Sequence, residues 1–116
     1  MQTAEKIEKT ALRNLLHNED YTRKVLPFLK PEYFEDRNER VVFSEIQKFI
    51  SQYNKRPTKE TLQIDLGKRK DLNEDEYKQI VELISTLDPQ EVDLDWLVNT
   101  TEKFCKDRAV HNAVME

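Results

Sequence analysis

The chain has 116 residues, 37% hydrophobic and 36% charged, with a formal net charge of −4. That length allows one domain with a modest core, and the acidic balance argues against a nucleic-acid footprint, which needs clustered Lys and Arg. With Gly67 as the sole glycine and Cys105 as the sole cysteine, the chain has neither the material for a glycine-rich phosphate loop nor an internal disulfide or multi-cysteine zinc site.

Periodicity predicts a first helix from Gln2 to His17. Ile7, Ala11, Leu12, Leu15 and Leu16 form its apolar stripe, opposite Glu5, Glu8, Lys9 and Arg13. Asn18 ends it. A short helix through "YTRKVLPFL" follows, with Val25, Leu26, Phe28 and Leu29 inward. Pro27 and Pro31 then break the chain and leave "EYF" as a tight turn that buries Tyr33 and Phe34.

Asp36 and Glu39 have the spacing of a capping box. The helix behind them turns Val42, Phe43, Ile46, Phe49, Ile50 and Tyr53 to one face and exits at "NKRP". Thr58 is placed to cap "KETLQIDLGKR", whose Leu62 and Leu66 face in. A second capping box, Asn73 and Glu76, opens a helix with Tyr77, Ile80, Val81, Ile84 and Leu87 on one side. Asp88-Pro89 stops it. Asp93 or Asp95 starts the terminal helix, with Leu94, Leu97, Val98, Thr101, Phe104 and Cys105 inward.

The prediction is an all-α fold of five to six helices. A compact helical bundle over residues 1–72 joins an antiparallel helical hairpin over 73–116, one domain overall. The closing "DRAVHNAVME" keeps its apolar rhythm and has no stop signal. Either that tail meets a partner or the natural chain continues.

Nothing in the sequence assembles a catalytic constellation. His17 and His111 are isolated, so they read as a helix-end and a surface histidine, not metal ligands. Cys105 sits on an apolar stripe and reads as an inert buried thiol. Acidic residues in "NEDEY" suit a helix N-terminus, and Lys68, Arg69, Lys70, Lys55 and Arg56 suit solvated turns over phosphate contacts. Trp96 is placed to anchor either the hairpin or a partner, and the core reading is preferred. From residues alone, the chain is a helical interaction or assembly module. Its lone cysteine, and the lack of a signal peptide or membrane-length apolar run, suit the cytoplasm.

Three segments in order, "EYFEDRNERVVFSEIQKFI", "KRPTKETLQIDL" and "LDWLVNTTEKFCKDRAVHNAVM", resemble the N-terminal domain of DnaB-type replicative DNA helicases. "NLLHNEDYTRKVLPFLKPEYFEDR" resembles the branch carried by T-even-like phages. The resemblance implies a domain that does not hydrolyse ATP, pairs through its hairpin, and forms a collar of three dimers on a hexameric ring. It also implies primase as a docking partner, a helicase loader as a further one, and single-stranded DNA threaded through the parent ring with little direct binding here. No cofactor is expected in this chain; ATP and Mg2+ belong to the RecA-like domain of the parent helicase. The residues expected to carry self-association are Tyr77, Ile80, Ile84, Trp96, Leu97, Phe104 and Ala109, with Arg108 as a polar clamp. The competing expectation is a stand-alone helical adaptor for a protein partner. A helical DNA-binding regulator is disfavoured by the acidic balance.

Overall fold

A computed structural model describes residues 6–115. Among them are six α-helices and one short 3₁₀ turn, and no strand. The helices are α1 (Ile7–His17), α2 (Glu19–Val25), α3 (Arg37–Tyr53), α4 (Lys59–Gly67), α5 (Glu74–Ser85) and α6 (Leu94–Met115), with the 3₁₀ turn at Pro31–Tyr33. The expected beginning of the first helix at Gln2 lies outside the described residues.

Local chemistry sets most boundaries. Asn18 accepts a hydrogen bond from the Tyr21 N–H and starts α2. Thr58 Oγ1 accepts from Thr61 N and starts α4. Asn73 and Glu76 form the full reciprocal box of α5. Asp93 Oδ1 accepts from Trp96 N, so Asp93, not Asp95, opens α6. Asn54 closes α3 in the left-handed region at φ 55°, a conformation asparagine tolerates better than most residues.

The box expected at Asp36 and Glu39 is only half made. Asp36 Oδ1 accepts from Asn38 N, but the Glu39 side chain does not return the bond. Its carboxyl is half-buried beside Asp36 and Glu8 instead.

α1 and α3 pack together at the centre. α2 and α6 cover α1, while α4 and α5 cover α3, and the 3₁₀ turn touches both α3 and α6. A single apolar core runs through all of them, from Ala11, Leu12 and Leu15 through Phe34, Phe43 and Ile46 to Ile80, Ile84, Leu87 and Leu97. The segments 1–72 and 73–116 therefore share one interior.

The expected hairpin is not what forms. α5 lies on α3 and α4, and α6 lies on α2, α1 and the 3₁₀ turn. The cause is the linker 86–93, which is fastened to other helices. Leu87 is fully buried. Arg13 Nη1 donates to the carbonyls of Thr86 at 3.1 Å and Asp88 at 2.8 Å. His17 Nε2 lies 2.6 Å from the Leu87 carbonyl, and Lys59 Nζ lies 2.6 Å from Asp88 Oδ1. Anchored on α1 and α4, the linker sends α6 back across α1 and α2 and away from α5.

Three other placements differ from the sequence reading. Phe28, expected inward, is 42% exposed, because α2 ends at Val25 and the turn at Pro27 swings the next side chain out. Tyr53, on the last turn of α3 beyond the core, is also exposed and leans on Phe49. Glu8, placed on the solvent face of α1, is buried because a cation reaches it from α6.

Candidate functional site

The surface with the strongest character belongs to α6. Twenty-two residues of helix extend about 33 Å. Leu97, Thr101, Phe104 and Cys105 occupy its inward arc and are buried. At about 100° per residue, Trp96, Lys103, Val110 and Val114 lie within about 40° of one another on the far arc. This stripe is open: Trp96 is 55% exposed, Val110 66% and Val114 78%. Large apolar side chains at both ends of one exposed stripe are what a monomer usually hides.

The inward face is held firmly. Arg108 Nη1 donates to Glu35 Oε1 at 2.6 Å and its Nη2 to Glu8 Oε2 at 3.2 Å. Its guanidinium lies over the Phe104 ring, 5.5 Å from the centroid. The Arg108 hydrogen bond, and then its charge, hold the Glu35 carboxyl below the usual carboxylate range. One turn on, Asn112 Nδ2 donates to the Glu32 carbonyl at 3.2 Å. Deeper in, the Tyr21 hydroxyl shares a buried hydrogen bond of 2.8 Å with Thr101 Oγ1. Burial pushes the Cys105 thiol up to about 11, assisted by Glu102, which keeps it a protonated, poorly nucleophilic group.

The eight residues expected at a pairing surface fall in three places. Ile80 and Ile84 are fully enclosed where α5 meets α3 and α4, and Tyr77 is half-buried there with its hydroxyl donating to the Gln63 carbonyl. Leu97 and Phe104 are in the core under α6, and Arg108 is engaged by Glu8 and Glu35 of its own chain. Only Trp96 and Ala109 are open, and the preferred core reading of Trp96 gives way to a surface one. Among the described residues, no group of three or more His, Cys, Asp or Glu side chains is placed to hold a metal ion.

Residues 1–99 match the family described as the DnaB-like helicase N terminal domain. The chain belongs to that family. A relative from Enterobacteria phage T4, described as a DnaB-like replicative helicase, is 33% identical over 102 residues. The matched stretch is 88% of this chain and 21% of the phage protein, so the chain spans about a fifth of that relative's length. The DnaB-like match stops at residue 99, inside α6 and short of Arg108, Val110 and Val114.

Among the described residues, one carboxyl of this DnaB-like domain is raised into the physiological range. Burial, then the nearby Asp36 and Glu8 carboxylates, raise Glu39 from 4.5 to about 7, against weaker opposing effects of Lys6 and Lys9. Because the folded value is the higher one, folding takes up a proton between pH 4.5 and 7. Stability on this account is full below about 4.5, falls as pH rises to 7, and is level above. With solvent screening of a half-buried group, Glu39→Gln is expected to raise stability at pH 8 by about 1 kcal/mol and flatten that slope. Urea melts of both chains across pH measure it; parallel profiles count against the reading.

Proposed function

We propose that this chain is the non-catalytic collar domain of a hexameric replicative DNA helicase. In this reading it pairs with a second copy, three pairs build the collar, and the collar presents a docking surface to primase, with a helicase loader as a further partner. ATP hydrolysis with Mg2+ and the grip on single-stranded DNA belong to other parts of the parent protein.

The observation that carries the reading is the open Trp96–Val110–Val114 stripe on α6, in a chain of the DnaB-like family. A copy of the same stripe, related by a two-fold axis, would cover it with like surface. Trp96 is the natural anchor, since aromatic side chains dominate such contacts.

The test is solution mass across concentration by sedimentation. The chain is expected to shift from monomer toward dimer, and Trp96→Ala combined with Val114→Glu to weaken that association at least about tenfold, roughly 1.4 kcal/mol. Both positions are exposed, so the variant should keep its melting temperature. A mass that stays monomeric at every concentration, or a variant that associates as well as the parent chain, sinks pairing through α6. Capture of the cognate primase by the same chain tests the docking role separately.

A further inference from the structure

A groove of about 900 Å³ opens between α2 with its following turn and the C-terminal half of α3. It shares no residue with the α6 stripe. Leu26, Leu29 and Ile50 supply its apolar lining, and Leu26 and Ile50 are only partly covered by the chain itself. Around them stand Arg23, Lys30, Lys55 and Arg56, with Glu19 as the one carboxylate of the lining. A surplus of cations in one groove is notable in a chain whose net charge is −4.

The individual charges are unevenly used. Arg23 meets Glu19 at 2.8 Å, but both side chains are largely exposed, so the pair is weak. Arg56 donates one hydrogen bond to the Leu16 carbonyl, an uncharged acceptor. Lys30 and Lys55 are exposed and meet no carboxylate among the described residues. The groove thus combines an unfilled apolar floor with positive charge left over at its edge.

We infer that this groove binds an acidic amphipathic segment of a partner protein, with apolar side chains on Leu26 and Ile50 over the buried Leu29, and carboxylates toward Lys30, Lys55 and Arg56. Helix-in-groove recognition needs this pairing of apolar floor and complementary rim. A nucleic-acid strand is the poorer fit. No aromatic ring lines the groove to stack a base, and the acidic chain as a whole repels a long polyanion.

The probe is a synthetic peptide of about 15 residues, long enough to form a helix, with leucines at helical spacing and glutamates on the flanking positions. It is titrated into the 116-residue chain, followed by backbone-amide NMR and by fluorescence anisotropy. Shifts should cluster at Leu26, Leu29, Ile50 and Asn54. Affinity should fall about tenfold in Lys30→Glu/Lys55→Glu, and by as much again when serine replaces the peptide's leucines. Both lysines are exposed, so the thermal melt of the double variant should match the parent. Equal binding by the charge-reversed chain overturns the inference, as do shifts outside the groove or equal binding of a basic peptide. Tighter, groove-centred binding of oligothymidylate assigns the groove to nucleic acid and overturns it too. None of these outcomes bears on pairing through α6, which is read from solution mass.

Discussion

Replacing Arg108 with glutamate is expected to cost about 3 kcal/mol of folding free energy, because removing one partner strands a buried charge. Glu8 is the group left stranded: its side chain is 7% exposed, and among the described residues its ion-pair partner is Arg108. The new carboxylate would also face Glu35, now 2.6 Å from the guanidinium. Packing over Phe104 would be lost with the planar head. Glu35→Gln should by contrast leave stability nearly unchanged, since that side chain is 64% exposed. Urea unfolding of the three chains decides the matter. A loss below about 1 kcal/mol in Arg108→Glu would mean that the ion pair is solvent-bridged and does not secure α6. The same result bears on assembly: weakened association in an Arg108 variant reports a loosened fold before it reports a lost interface.

Phe34→Ala should cost more still, about 3–5 kcal/mol, as expected for emptying a fully enclosed aromatic site. Phe34 is 0% exposed. Its ring stacks on Phe43 with centroids 5.0 Å apart and meets Phe104 edge-on at 6.3 Å. One side chain thus joins the turn after Pro31 to α3 and α6. The void cannot collapse readily, because its walls belong to three elements with different anchors. Phe34→Leu, which fills most of the space, should cost about 1.5 kcal/mol or less. The pair of variants separates lost volume from lost ring geometry in one set of thermal or urea melts. Equal costs for the two would show that ring stacking, and not the cavity, dominates.

The helices were legible because their information is local. The stripe Ala11, Leu12, Leu15 and Leu16, the Asn73–Glu76 box and the inward series of α6 are each written within a few turns of sequence. Tertiary partners were not legible in the same way. Periodicity marks Ile80 and Ile84 as one apolar face, yet it does not say whether α3, α6 or a second chain covers it. In the fold it is α3 and α4. The linker's path hangs on Arg13 and His17, which on their own helix look like ordinary surface residues. Glu8 reads as solvent-facing until an arginine one hundred positions away is known to reach it. At the candidate site, the apolar rhythm of the last turns was legible in the sequence, but that Val110 and Val114 stand open and not against their own chain is a property of the packing. The groove between α2 and α3 had a weaker trace: its cations are divided between α2 and two separate turns, and no one stretch of sequence shows them together.

The contact between Glu8 and Arg108 also bears on synthesis. Their side chains close a loop of 100 positions, and α6 supplies Leu97, Phe104 and Cys105 to the interior. Chain closure over such separations is slow compared with forming local helices. On a translating ribosome, α1 through α5 would therefore emerge with one side of α1 and α2 still uncovered. The core can be completed only after Arg108 has cleared the exit tunnel. Until then the nascent chain would be helical but unsealed, with apolar surface of the kind that chaperones and proteases recognise.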